Sequence, residues 1–448
     1  MSSVPHASSE PAATPPPSAS GSQLRRVVGA SLVGTTIEWY DFFIYASAAG
    51  MVFGDLFFPA LDGTAGLLAA FATLGVSFIA RPLGSVVAGH LGDRFGRKIV
   101  LVVTLLMMGG ATVGVGLLPG YQTIGVAAPI LLVLLRLVQG FSAGGEWGGA
   151  ALMSVEHASP GRRGFFGSFP QIGVPIGLLL ANLVLFTVTA ITTPEQFQAW
   201  GWRVPFLLSV VLIAVGFFVR AKVSESPVFT ELRERRERRS APLTEVFRSN
   251  SRELVVAIGL FIANNMIGYI LIAFLTSYGT RQLDLESSTM LFVGMVGAVS
   301  WGVFTLLAGH WSDRWGRRHT YLLGTLALGV WSIPFFLLID TASLPLMLLA
   351  VVTLGFGLGL TYGQQAATYA ELFPTPIRYS GVSFAYAFGA ILGGGFAPMV
   401  ATWLIDVTGT SLSVSGYMLA TCLVTLAAVL ALRERPAAER EAFVLATD

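Results

Sequence analysis

The chain has 448 residues, of which 54% are hydrophobic and only 12% charged, with a net charge of +2. Soluble globular proteins carry about 25% charged residues, so this composition excludes an ordinary soluble domain. The apolar residues gather in runs near the ~20 residues that cross a hydrocarbon core of about 30 Å, and the expected fold class is an all-α polytopic membrane protein. The single cysteine, Cys422, lies in the last apolar run and allows no internal disulfide.

Residues 1–24 are rich in Pro, Ser and Ala and lack the apolar core of a signal peptide. They cannot bury enough surface to fold and are expected to form a disordered cytoplasmic tail. Twelve spans follow, at roughly 27–53, 65–89, 99–118, 127–155, 164–189, 203–221, 254–279, 288–309, 320–339, 344–371, 379–405 and 412–432. None shows the alternation of a barrel strand. Six spans form an N-terminal bundle over 25–222 and six a C-terminal bundle over 254–432. Between them, 223–253 is the long polar connection, whose interleaved Glu and Arg read as a partly helical, solvated cytoplasmic linker. Its juxtamembrane arginines suit the inner leaflet or plain solubility rather than nucleic acid. A second tail occupies 433–448. Lys and Arg concentrate on one side, leaving Arg203 and Arg281 for the outer loops, so both termini are expected in the cytoplasm.

The stretch from Gly89 to Lys98 recurs from Gly309 to Arg318, identical at six of ten positions and offset by 220 residues. A second block repeats at an offset of 215, pairing Gly140, Gly144, Glu156 and Arg163 with Gly355, Gly359, Glu371 and Arg378. Two blocks repeating at nearly one offset indicate duplicated six-helix halves. Such halves, related about an axis along the membrane normal with a midplane site between them, are a recurring transporter architecture.

The paired loops resemble the signature of the major facilitator superfamily. Within it, Gly34 to Phe43 resembles the first helix of the metabolite:proton symporter family, the group of α-ketoglutarate, citrate, shikimate and proline/betaine permeases. Arg81 to Gly84, Gln139 to Glu146, Glu225 to Phe229 and Glu371 to Pro374 agree with that family, over roughly residues 25–432. The resemblance implies twelve transmembrane helices in two pseudo-symmetric six-helix halves. It also implies alternating-access, proton-coupled uptake of a small polar metabolite by a monomer in the cell inner or plasma membrane. On the resemblance, Gly89, Asp93, Arg94, Gly96 and Arg97, with Gly309, Asp313, Arg314, Gly316 and Arg317, form gating loops. Asp93 near the end of span 2 can accept bonds from a neighbouring helix terminus or from arginines. Arg94 and Lys98 read first as headgroup anchors.

Ionisable residues inside a bilayer are costly and mark functional sites by default. Five fall there: Glu38, Asp41, Arg81, Arg136 and Glu146. Glu38 lies about 16 Å into span 1, with Asp41 and then Tyr45 on the same face. A carboxylate in a water-poor site favours its neutral form, so Glu38 and Asp41 are the candidates for proton coupling. Asp41 is expected beside Arg136, in a pair that protonation would break. A permanent pair fixing helix packing is the alternative. Arg81 and Arg136 stay charged and can clamp a carboxylate with two parallel bonds, which favours an anionic substrate. Glu146, after two glycines, faces either substrate or a neighbour's backbone. Gln139 joins the substrate candidates with its block. The aromatics of span 1 keep a quaternary ammonium zwitterion open, although packing explains them too.

The second half offers neutral groups. Asn264 and Asn265 are expected to interrupt span 7, and Gln364 and Gln365 to interrupt span 10. With Tyr269 and Tyr369 they either hydrogen-bond substrate or bridge helices. No phosphate-cradling loop and no Cys/His group with metal spacing is legible, so the expected cofactor set is empty and a proton gradient supplies the drive. The expected partners are a small organic acid, protons and lipid. The reading is therefore a carrier and not an enzyme. An exporter on the same fold, and a transport-dead sensor using the 223–253 linker, are the rivals.

Overall fold

The computed structural model describes residues 21–95, 97–144, 146–156, 158–159, 161–222, 247–248, 250–374 and 377–433. All regular structure among them is helical. Span 1 runs Gly21–Ala48, continues through a π-helical turn at Ala49–Phe53 and ends at Gly54–Phe57. Spans 2 and 3 are Gly63–Phe95 and Arg97–Leu117. Span 4 is broken into Ala127–Ala143 and Glu146–Glu156. Spans 5 and 6 are Arg163–Ile191 and Arg203–Lys222. Span 7 comprises Ser251–Tyr269, a π turn at Ile270–Phe274, and Leu275–Gln282. Spans 8 and 9 are Ser287–Trp315 and Arg317–Ile339. Span 10 is broken into Leu344–Tyr362 and Gln365–Leu372. Span 11 comprises Arg378–Ala390, a π turn at Ile391–Gly395, and Ala397–Thr408, and span 12 is Leu412–Ala431.

Among the described residues, nine of these passes are long and apolar enough to cross a membrane, and ten when the bent helix pair around Trp202 counts as one. The other two are span 3, whose apolar part is short, and span 1, which carries Glu38 and Asp41. The polarity is that of a protein in lipid: Leu83, Ile130, Val303 and Val330 face outward, while Asp41, Arg81, Arg136 and Gln139 are buried. The first helix begins at Gly21, inside the stretch expected as tail. Residues 223–246 and 249 of the expected linker and the distal tails lie outside the described residues, and the linker's last three residues belong to span 7, which begins at Ser251.

The breaks repeat between the halves. The first helix of span 4 ends at Ala143, before Gly144, and that of span 10 at Tyr362, before Gly363, while spans 1 and 7 each carry a five-residue π turn. Span 7 does not break at Asn264 and Asn265, as the sequence suggested. Helix continues through both amides, and the irregular turn comes five residues later, because their side chains bond neighbouring helices instead of their own backbone.

The repeated glycines fix the closest helix pairs. A methyl group at Gly140 would run into the Ser77 carbonyl, and one at Gly144 into the Arg81 carbonyl, so spans 2 and 4 touch backbone to backbone. Gly355, Gly359 and Gly363 do the same for span 10 against Ser300, Phe304 and Thr305 of span 8. Small residues allow this approach, and dispersion and weak polar contacts gain from it. Gly144→Ala is therefore expected to cost about 1–3 kcal/mol through overpacking. In detergent its Tm should fall. Gly149→Ala, whose new methyl would meet the Tyr379 ring at an ordinary 3.8 Å, should leave the Tm unchanged.

Candidate functional site

Four side chains hold Asp41 in a chain of hydrogen bonds. Thr112 of span 3 donates to its Oδ2 at 3.0 Å, and Ser209 of span 6 donates to its Oδ1 at 2.7 Å. Gln139 of span 4 donates from Nε2 to Thr112 Oγ1 at 3.0 Å. Arg136, one turn earlier, donates from Nη1 to Gln139 Oε1, and from Nη2 to Ser77 Oγ at 2.7 Å. Its guanidinium carbon lies 3.8 Å from the Tyr45 ring centre and 5.2 Å from that of Phe42. The direct Asp41–Arg136 pair expected from the sequence is thus replaced by a relay, because Thr112 and Gln139 stand between the two charges. The Thr112 hydroxyl has a second acceptor, the Met108 carbonyl at 3.0 Å. The hydroxyl can thus turn between two acceptors while its oxygen still accepts from Gln139. Tyr45 is spent within this bundle, sharing a 2.5 Å hydrogen bond with Thr73.

Arg81 is placed differently. It lies over the aromatic faces of Phe42, Phe78 and Trp39, at 4.3, 4.5 and 5.3 Å from their ring centres. It lines a cavity with Trp147, Gly148, Ser383 and Tyr386, so the groups come from both sets of six spans. Its Nε and Nη2 are buried without a hydrogen-bond partner. Trp147 stacks on Tyr386 with ring centres 3.8 Å apart, and Tyr386 also stacks on Phe261 at 4.5 Å. Tyr386 is shared with a second cavity lined by Trp39, Tyr269, Trp301 and Tyr362. The Tyr269 hydroxyl and the Trp39 and Trp301 Nε1 atoms are also buried without partners.

The amides of the second half divide. Asn264 donates to the Leu358 carbonyl at 3.0 Å and to Thr361 at 2.8 Å, and Asn265 to the Ala390 carbonyl at 3.0 Å. These bonds bridge helices, although both residues also border the second cavity. Tyr369 donates to the Ala257 carbonyl. Gln365 Oε1 accepts from Gln171 at 3.4 Å, while Gln364, at the break of span 10, has neither amide atom partnered. Glu38 is buried beside Trp39. The side chain of Glu146 lies outside the described residues.

Sequence reasoning missed Trp147, Gln171, Tyr362 and Tyr386. Gln171 accepts from Trp147 Nε1 at 2.9 Å and donates to the Tyr362 carbonyl at 3.3 Å, joining spans 4, 5 and 10. A lone amide inside an apolar run was its available signal. The tyrosines and Trp147 carried none, since aromatic residues abound in every span.

Contacts between the two sets of six spans flank the cavities at both ends. At the end carrying the repeated loops, Asp313 accepts from the Gly164 and Phe165 backbone N–H groups at 2.8 and 2.9 Å. A carboxylate there complements the positive end of span 5. Arg317 bonds Asp313 at 2.8 Å and Glu371 at 3.2 Å, and Arg378 pairs with Glu156 at 3.4 Å. Gly316 turns the chain between spans 8 and 9 at φ +90°, which favours glycine, while Gly309 meets Ser168 so closely that a side chain would not fit. Arg314 is exposed. In the first copy of the loop, Gly96 and the side chains of Asp93, Arg94 and Arg97 lie outside the described residues, and Gly89 is described only as part of the span 2 helix. At the opposite end, Gly50 in the π turn of span 1 packs on Ser277 and Ala273 of span 7. Asp313→Asn is expected to loosen the loop end. In a Cys422→Ser background, a cysteine replacing the fully buried Ser168 should then react several-fold faster with a soluble maleimide.

A bundle of twelve helical passes, nine or ten of them apolar enough to cross a membrane among the described residues, with buried carboxylates and a guanidinium keeping two partnerless donors, defines a membrane transporter rather than an enzyme. A model of the Major Facilitator Superfamily matches residues 31–394 and 302–446, and the chain belongs to that family. It is 42% identical over 414 residues to the inner membrane metabolite transport protein YhjE of Escherichia coli (strain K12), covering 91% of this chain and 94% of that protein. It is 38% identical to the shikimate transporter of the same strain, covering 92% and 95%, and 33% identical to its proline/betaine transporter, covering 92% and 84%. The crystal structure of the D-xylose-proton symporter shares the fold, with a TM-score of 0.72 at 17% identity, covering 93% of this chain and 99% of that one.

Proposed function

We propose that the chain is a proton-coupled carrier that imports a small organic acid across the inner membrane by alternating access, working as a monomer with both termini in the cytoplasm. The observation that carries this reading is Arg81, a buried guanidinium with two partnerless donors in a cavity built from both sets of six spans. Burial makes such a cation costly unless an anion joins it. The relative named as a shikimate transporter supports a carboxylate cargo.

In this reading the bundles 25–222 and 254–432 rock about the cavity. The Lys and Arg bias puts the repeated loops in the cytoplasm, where Asp313, Arg317 and Glu371 hold the inner side shut. The contact of Gly50 with span 7 shuts the outer side. Asp41 carries the proton, and its relay through Thr112 and Gln139 reaches Arg136, which shares the Phe42 ring with Arg81. Counterflow in proteoliposomes tests the carrier reading without any gradient. Labelled acid should enter vesicles preloaded with the same acid unlabelled, and its failure to enter would sink the proposal.

A zwitterion such as betaine is the second reading. It is favoured by the stacked Trp147, Tyr386 and Phe261 beside Arg81, since aromatic faces attract quaternary ammonium groups. A relative named as a proline/betaine transporter fits it.

A further inference from the structure

Resting on that carrier reading, we infer that the site takes a small ring compound with one carboxylate and several neutral hydroxyl or carbonyl oxygens, and refuses di- and tricarboxylates. The count of open cationic edges comes first. The Nε–H and the Nη2–H of Arg81 point the same way, along the edge of the guanidinium that a carboxylate grips with both oxygens. Those are the two atoms left without partners. Arg136 lines neither cavity, and its Nη1 and Nη2 are engaged by Gln139 and Ser77, which leaves Nε as its one partnerless nitrogen. Among the described residues, Arg81 is the one arginine or lysine on the wall of either cavity. A second carboxylate would therefore lose its water and meet no second cation on the wall.

The rest of the wall selects the body of the substrate. Trp39 and Trp301 present indole N–H groups that donate and cannot accept, and both are buried without partners, as are the hydroxyls of Tyr269 and Ser383. A buried donor without a partner is costly, so the wall suits a cargo rich in acceptors. Between these donors stand flat aromatic faces, which suit the carbon face of a small ring once the two halves part, since the cavities are nearly filled in this state.

The test measures binding by quenching of intrinsic Trp fluorescence in the purified full chain. The panel is shikimate, cyclohexanecarboxylate, succinate, citrate and betaine. Shikimate is expected to bind at least about ten-fold tighter than the others. Trp301→Phe and Trp39→Phe keep the aromatic faces and remove one donor each. They should weaken shikimate several-fold while leaving cyclohexanecarboxylate unchanged, a difference that misfolding would not produce. Tighter binding of succinate or citrate overturns the single-carboxylate inference and leaves the acid carrier standing. Equal binding of cyclohexanecarboxylate overturns the hydroxyl part, and tighter betaine overturns the neutral body. Binding of no panel member overturns the inference, and if acid counterflow fails as well, the carrier reading falls with it.

Discussion

Arg81→Ala is expected to raise the apparent Kd for a carboxylate cargo at least about 30-fold, because truncating one partner of a buried charge pair costs about 2 kcal/mol or more. The protein should still fold. The Nε and Nη2 donors of Arg81 serve no acceptor in the empty carrier, so the substitution leaves none of their partners stranded. What is lost is the guanidinium's contact with Phe42, Phe78 and Trp39, on the order of 1–2 kcal/mol. A titration of Trp quenching beside a thermal melt separates the two effects. A variant that melts normally and binds as well as wild type would remove Arg81 from the site. Arg81→Lys should recover little, since an ammonium is a point charge and cannot offer a two-donor edge.

Asp41→Asn is expected to abolish accumulation while preserving exchange. The amide keeps the shape of the carboxylate and one acceptor for the hydroxyls of Thr112 and Ser209. It cannot take up or release a proton, so its relay is fixed in one state. Accumulation driven by an inward proton gradient should fall at least about ten-fold, a difference of about 1.4 kcal/mol in coupling, with counterflow near wild type. Loss of both activities would make Asp41 a packing residue, and retention of both would move the proton site elsewhere. Glu38→Gln tests the remaining carboxylate by the same comparison.

The parts of the site that were legible in the sequence are those that violate the surrounding chemistry. Asp41, Arg81 and Arg136 stand out because charge is rare inside an apolar run, and all three are buried at the centre of the bundle. Gly140 and Gly144 stand out because they recur as Gly355 and Gly359, and both pairs seat one helix against another. What was illegible depends on helix rotation. Residue spacing places Asp41 and Arg136 at depth, but not the Thr112 and Gln139 side chains between them. Hydroxyls cost little in a helix that can bond its own carbonyls, so Thr112 and Ser209 send no signal. The π turn Ile270–Phe274 is wholly apolar and leaves no trace in composition. Asn264 and Asn265 drew attention to span 7 for the wrong reason, since their amides cross to spans 10 and 11.

The most direct test of the central claim is the accumulation of labelled shikimate in proteoliposomes, with an inward proton gradient and again with the gradient collapsed by an ionophore. The account predicts accumulation above the external concentration with the gradient, and simple equilibration without it. Accumulation that ignores the gradient would contradict proton coupling. Shikimate leaving preloaded vesicles as protons enter would make the carrier an exporter and reverse the proposed direction.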